Sequence, residues 1–466
     1  MQFLKDSFDR LMAAYRHQPY PDLQQRQMQL KALRGQLLQQ KAALLAALNA
    51  DFGQRSASES QMLELLPSVG SIDYSLKRLK KWLKPEKRHV SWLFLPAKNY
   101  VVHQPLGVVG IIVPWNYPVF LSLGPLVAAV SAGNKVMLKL SEFTPQTNQV
   151  LKNIIETALP DTALVIEGDA SVAAAFSQLP FAHLLYTGST AVGYQVMRAA
   201  SANLTPVTLE LGGKSPLIIA PDANINQLAE RIVFGKTANA GQTCVAPDYL
   251  LVPKDKIEQC VSVLQQLFLQ FYPLTQFEQS YPAIINERHY QRLQNYLTEA
   301  KAAGARVISC LDVTPKQQQQ RLMPLTLVLN APLDSALWRE EIFGPVLPVY
   351  GYQHIEEALH FVQQRPKPLA LYLFSDNSAL QQQVLQHTHA GGVCINETLI
   401  HAGQEDLPFG GIGPSGIGAY HGKEGFLTFS HAKAVHQKGR FNTGQMAYPQ
   451  HRAKLFDKLL NYLLRP

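Results

Sequence analysis

His183-Leu184-Leu185-Tyr186-Thr187-Gly188-Ser189-Thr190-Ala191-Val192-Gly193 decides the fold class, because an apolar run of strand length breaks at a glycine and continues as a segment rich in Ala, Val and Met. The first part reads as a buried strand and the second as a helix opened by a small hydroxyl residue, the succession from which parallel sheets are built. The rhythm extends in both directions. Short apolar, β-branched runs at residues 108–113, 135–139 and 164–167 precede it, and runs at 216–219, 249–252, 346–350, 369–374 and 392–395 follow, separated by helix-length stretches. This alternation predicts an α/β protein with two parallel-sheet domains and helices on both faces of each sheet.

Other segments fall outside the rhythm. Residues 1–86 read as helices: Asp22 can cap one that runs through Ala50 to a stop at Gly53, and residues 76–83 repeat the pattern before Pro85. Between Trp92 and Pro105, and again from about Gly425, short apolar strands suggest a protruding ribbon whose unpaired edge seeks a second copy of the chain. Gln317–Gln320 reads as an exposed loop or helix end. In the tail, Leu455, Leu459 and Leu463 share one helical face flanked by Arg452, Lys458 and Arg465, which predicts a helix docked on the body, with a membrane-surface anchor as the alternative.

The 466 residues are 47% hydrophobic and 16% charged, enough apolar material for large cores. The net charge of +8 is scattered, with no basic run interleaved with aromatics, so nucleic-acid binding is not expected. Cys244, Cys260, Cys310 and Cys394 lie far apart without CxxC spacing, which fits reduced thiols and a cytoplasmic protein. The fourteen histidines form no HExxH, so no metal site is expected. The first ten residues mix acids and bases and lack the apolar core of a signal peptide, and the longest apolar stretch, 119–132, is too short to span a membrane.

Several motifs can carry chemistry, and each has a plainer reading. Cys244 in Gly-Gln-Thr-Cys is either a nucleophile or a small buried residue. Glu210, alone in Val-Thr-Leu-Glu-Leu, is either a base whose pKa is raised by burial or a strand acid facing water. Asn116 in Pro-Trp-Asn-Tyr-Pro follows a strand end, where an amide can hold an oxyanion or cap a turn. Residues 188–193 can receive a pyrophosphate at a helix start, or be an ordinary strand-to-helix turn capped by Ser189. The literal GxGxxG at 411–416 is discounted as a dinucleotide fingerprint, because Pro414 and Gly418 oppose a helix start and no strand leads into it.

Taken together, residues 114–118, 139–142 (Lys-Leu-Ser-Glu), 187–193, 209–213, 241–244 and 340–345 (Glu-Glu-Ile-Phe-Gly-Pro) occur in the order seen in aldehyde dehydrogenases, and nearly the whole chain resembles that family. Residues 408–411 and 420–423 resemble its class 3 branch, and the stretch through Ser430-His431 is most similar to coniferyl aldehyde dehydrogenases within it. The resemblance implies two Rossmann-type domains and an oligomerisation ribbon. It assigns 1–86 and 106–209 to NAD(P) binding, 210–400 to catalysis, 87–105 and 425–440 to the ribbon, 401–424 to a connection near the active site, and 441–466 to a helical tail.

It further implies oxidation of an aromatic or medium- to long-chain aliphatic aldehyde to the acid, with Cys244 as nucleophile, Glu210 as general base, and Asn116 with the Cys244 amide as oxyanion hole. Lys139 and Glu142 would meet the adenosine ribose, Ser189 with Gly188 and Gly193 the pyrophosphate, and Glu341 the nicotinamide ribose, beside Phe343, Trp115 and Leu211. Tyr117 and Phe409 would line the substrate entrance. Leu140 departs from the Lys-Pro-Ser-Glu pattern of the family, which bears on cofactor choice; NAD is expected, with NADP use allowed. A homodimer is expected. A coenzyme A-dependent acylating enzyme and a non-catalytic binding protein on the same fold are the alternatives.

Overall fold

Val108–Ile112 lies inside a sheet of order Gly416–Ile417, Val207–Leu211, His183–Gly188, Val108–Ile112, Lys135–Lys139, Ala163–Ile166, parallel except at its first member. The computed structural model describes residues 1–441, 444, 448–451 and 454–465. Every residue of Val108–Ile112 and Lys135–Lys139 is buried, as continuous apolar runs require when helices cover both faces. One cover is Phe120–Ala132, ended by Gly133 in the left-handed region at φ 92. A Cβ at Gly133 would also lie 2.8 Å from the Arg26 guanidinium, so both conformation and space demand glycine. Beside it Asn134 takes the Leu106 and Gly107 amides and donates to the Ala129 and Phe429 carbonyls, which joins helix end, strand entry and C-terminal segment.

The second sheet has order Arg306–Ser309, Thr326–Leu329, Val346–Tyr352, Tyr249–Pro253, Pro216–Ile219, Ala370–Phe374, Gly392–Ile395, antiparallel only at its Arg306–Ser309 edge. The predicted α/β architecture with two parallel sheets is present. Arg306–Ser309, Thr326–Leu329 and Gly416–Ile417 escaped the sequence reading: the first and last are short edge strands with little or no apolar run, and the second is an interior strand of only four residues.

At the amino end, Asp22 caps Leu23–Gln39 through a capping box with Gln25, but the helix breaks at Gln40 and resumes as Lys41–Phe52, so the single expected helix is two. Gly53 ends it at φ 53, as read. The third small sheet has order Glu86–Arg88, Lys98–Pro105, Ser430–Gln437, all antiparallel. The expected start of the ribbon near residue 425 is corrected, since Gly422–Thr428 is helical and packs on Phe120–Ala132. In the polyglutamine patch a short helix, Pro315–Gln319, is capped by Thr314, and Gln317 is buried rather than exposed. The tail forms the helix Lys454–Leu463. Leu463 on its expected apolar face is exposed, against the expectation of a docked stripe; Arg452 lies outside the described residues, and so does the Leu455 side chain. No helix among the described residues is long and apolar enough to cross a membrane.

A buried ion cluster joins the layers. Arg55 donates to Glu64 at 2.8 Å and lies 3.5 Å from Glu59, with its guanidinium over the rings of Phe52 and Tyr117. Glu64 sits on a π-helical turn, Gln61–Leu65, and its second oxygen accepts the Val119 and Phe120 amides. Removing the cation leaves two carboxylates buried without their partner. Arg55→Ala is therefore expected to lower stability by about 3–5 kcal/mol, measured by chemical denaturation. A midpoint equal to wild type would show that the cluster carries no such role.

Candidate active site

Three consecutive residues after the helix Ile225–Thr237 adopt left-handed backbone: Asn239 at φ 50, Ala240 at φ 52 and Gly241 at φ 70. A Cβ at Gly241 would come within 2.5 Å of the Gly344 carbonyl oxygen, which fixes glycine there. The two residues that bear side chains are strained and must be held from outside. Asn239 does so twice: its amide donates to Glu59 at 2.9 Å and its side chain to the Asn116 carbonyl at 2.9 Å. Gln242 is buried and braces the turn through the Asn239 and Ala283 carbonyls and the Ile285 amide.

This turn brings Cys244 to the loop after Val108–Ile112. Asn116 Nδ2 donates to the Gln242 carbonyl at 3.2 Å, and the hydroxyls of Tyr117 and Thr243 lie 2.7 Å apart. Glu210, in Val207–Leu211, is buried and neither carboxylate oxygen finds a protein hydrogen-bond partner. Burial alone pushes its pKa well above the usual carboxylate range. Cys244 is pushed up to about 12, chiefly by burial and then by the carboxylates of Glu341 and Glu210, while the Cys244 and Val245 amides partly oppose this. Thus the thiol, Glu210 and Glu341 share one electrostatic environment, although they lie far apart in sequence.

A second group lines the carboxyl ends of the six-stranded sheet, where open α/β sheets hold ligands. Lys139 ends its strand with Nζ donating 2.6 Å to the Gly168 carbonyl and 3.3 Å to Glu142. Ser189 is exposed and caps Thr190–Ser201, its hydroxyl accepting the Val192 amide at 3.4 Å. A Cβ on Gly193 would lie 2.7 Å from Leu211, so its absence lets this helix settle on the neighbouring strand. Gly188 similarly faces the Tyr186 hydroxyl, 2.3 Å from an ideal Cβ.

Glu341 bridges the two groups. Its carboxylate lies on Gly212, and burial, then the charge of Asp248, raises it to about 8. The segment is anchored by Lys214, which pairs with Asp248 and donates to the Leu337 and Glu340 carbonyls at 2.7 and 2.9 Å. Asp248 in turn accepts the Ile342 amide at 2.9 Å. Phe343, at φ 49, meets Trp115 edge to face with centroids 5.4 Å apart. Phe409 exchanges backbone hydrogen bonds with Tyr420 and lies parallel to His421. The discounted GxGxxG segment forms a turn into Gly416–Ile417, where Gly416 pairs with Glu210.

The family model "Aldehyde dehydrogenase family" matches residues 12–435. The chain belongs to the aldehyde dehydrogenase family. It is 52% identical over 458 residues to the "Probable coniferyl aldehyde dehydrogenase" of Pseudomonas aeruginosa, covering 98% of this chain and 95% of that protein. It is also 40% identical to the coniferyl aldehyde dehydrogenase of a Pseudomonas species, covering 99% and 96% of the two chains. Class 3 relatives include family 3 member H1 of Arabidopsis thaliana, at 38% identity over 88% of this chain and 85% of that protein. Among solved structures, the substrate-bound state of Staphylococcus aureus AldH superposes with a TM-score of 0.92 at 38% identity, covering 98% and 99% of the two chains. The Mycobacterium tuberculosis aldehyde dehydrogenase complexed with NAD+ superposes with a TM-score of 0.84 at 27% identity, over 93% and 89%.

This aldehyde dehydrogenase is accordingly an oxidoreductase that acts on aldehydes. Sequence reading missed Arg55, Glu59, Glu64, Asn239, Gln242, Lys214 and Asp248, whose work is to hold the turns. Only Gln242, inside the Gly-Gln-Thr-Cys motif, and Asn239, two residues before it, carried a local signal. Because burial and two carboxylates oppose the thiolate, alkylation of Cys244 by iodoacetamide should be slow at pH 7 and rise about tenfold per pH unit up to at least pH 10. A rate that levels off by pH 8, with modification mapped to Cys244 by mass spectrometry, would contradict that environment.

Proposed function

We propose that this aldehyde dehydrogenase oxidises aromatic aldehydes of the coniferyl type to carboxylic acids with NAD, using Cys244 as nucleophile, Asn116 in the oxyanion hole and Glu210 as general base. The observation that carries the reading is the hydrogen bond from Asn116 to the backbone of the Cys244 turn, beside a buried carboxylate with no protein partner. The names of the relatives at 52% and 40% identity favour coniferyl aldehyde over an aliphatic substrate.

The residues present fit a dinucleotide. The first turn of Thr190–Ser201 opens to solvent at Ser189, Gly193 leaves room against Leu211, and the Glu341 carboxylate rests on Gly212. Gly188, Trp115 and Phe343 would complete that surface. Lys139 already gives its charge to Glu142 and the Gly168 carbonyl, so a 2′-phosphate would meet a carboxylate without a free cation. NAD is therefore the preferred cofactor.

Cys244 gives its proton to solvent water, and its sulfur bonds to the aldehyde carbon while the Asn116 side chain and the Cys244 amide donate to the carbonyl oxygen. Bound NAD supplies the acceptor for the hydride that this carbon gives up. A thioester on Cys244 remains. Glu210 takes a proton from water, the oxygen attacks the thioester carbon, and the acid leaves as the thiol re-forms. Burial raises the proton affinity of Glu210, which strengthens it as a base once ionised. With that base in place, hydrolysis is favoured over transfer to coenzyme A.

Tyr117 and Phe409 line the apolar entrance in this reading. The strand Ser430–Gln437 pairs on one side with Lys98–Pro105, and its other edge completes a homodimer. Four free cysteines accord with a reducing cytoplasm.

Coniferyl aldehyde, benzaldehyde and hexanal tested with NAD and NADP should give the highest kcat/KM for coniferyl aldehyde with NAD; a preference for hexanal would overturn the substrate class. Glu210→Gln should keep a burst of NADH but lose steady turnover, and unchanged turnover would remove Glu210 from its role. Asn116→Ala should lower kcat by about 10²–10³. Light scattering at micromolar concentration should report a dimer, and a monomer would refute the ribbon's part in assembly.

A further inference from the structure

The segment that follows Gly392–Ile395 carries two histidines for which the reaction above has no task. His421 is 3% exposed, and its ring lies parallel to Phe409 with centroids 5.1 Å apart, next to Phe120 at 6.0 Å. Its backbone sits at φ 94, a strained conformation for a residue with a side chain. His401 packs edge-on against Tyr372 at 5.7 Å, and the Tyr372 hydroxyl donates to the carbonyl of Val245, the residue after Cys244. The two imidazoles lie within electrostatic reach of each other, and Tyr420, beside His421, lies within reach of Cys244 and Glu210.

All four ring nitrogens are buried and none meets a protein hydrogen-bond partner. The Gln404 backbone faces His421 outside hydrogen-bonding geometry. Glu405, in the same segment, is engaged elsewhere, by the Ser71 hydroxyl and the Gly422 amide. Burial lowers both histidines to about 4, so each is neutral at pH 7 and offers one N–H donor and one acceptor nitrogen. Buried groups of this kind cost stability unless something pairs with them.

We propose that His401 and His421 form the distal end of the aldehyde pocket and select aryl aldehydes that carry a free phenolic hydroxyl on the far side of the ring. This rests on the reading of Cys244 as the aldehyde-oxidising nucleophile and names the group its substrate bears. A phenol can donate to one imidazole and accept from the other while its ring lies among Phe409, Phe120 and Tyr420. An aliphatic tail would leave every nitrogen unpaired. A carboxylate terminus would meet only neutral rings.

The test compares kcat/KM for coniferyl aldehyde, its 4-O-methyl ether and cinnamaldehyde in wild type, His401→Phe, His421→Phe and His421→Gln, with thermal midpoints to confirm folding. Wild type should favour the free phenol over both other aldehydes by about 5- to 100-fold, the cost of leaving a buried hydrogen bond unmade. Each Phe variant should bring that ratio close to one, mainly through KM, and His421→Gln, which keeps a donor and an acceptor, should restore part of it. Equal efficiency on the three aldehydes in wild type, or a parallel loss on all three in both Phe variants, would overturn the subsite. If one Phe variant does not fold, the other and the wild-type comparison still decide. Turnover without discrimination brings down the subsite alone, whereas no oxidation of any of the three brings down the Cys244 reading as well.

Discussion

A guanidinium locked between two buried carboxylates holds the candidate active site together. Arg55 satisfies Glu64, Glu64 takes the amides that start the Phe120–Ala132 helix, and Glu59 takes the amide of strained Asn239. The loop bearing Asn116 and the turn bearing Cys244 thus hang from one electrostatic knot. Taking these charges out of water is costly, and such clusters contribute little to net stability compared with apolar packing. What this one contributes is position, because it fixes the Asn116 side chain and the Cys244 sulfur relative to each other, as a preorganised site requires.

The same burial that fixes the geometry sets the chemistry. Cys244 and Glu210 both sit where charge is disfavoured, which raises both pKa values.

Much of this was legible in the sequence. The strands at 135–139 and 216–219 could be read to the residue, because buried parallel strands are continuous apolar runs bounded by polar turns, and the half-buried edge strand at 392–395 was marked by its flanking glycine and its apolar residues. Cys244, Glu210 and Asn116 stood out because each is a reactive or polar type in surroundings that do not ask for one. Arg55 and Glu64 could not be found this way. Arg55 lies in the short loop after Gly53 and Glu64 on the π-helical turn Gln61–Leu65, and only three-dimensional closure shows that these charges point inward. The break at Gln40 was hidden too, since no proline or glycine marks it and the apolar spacing carries across. Nor did the apolar stripe of the tail foretell that Leu463 faces solvent.

The order of pairing also constrains how the chain can be made. Lys98–Pro105 gains its second partner in Ser430–Gln437, and Glu210, already beside Thr187, gains its second backbone neighbour only at Gly416. During synthesis both sheets can assemble while their last strand partners are still inside the ribosome. Closing contacts of such long sequence separation is slow, and an open strand edge invites aggregation meanwhile. The surroundings of Cys244 are therefore completed only once Gly416 has emerged, long after the cysteine itself.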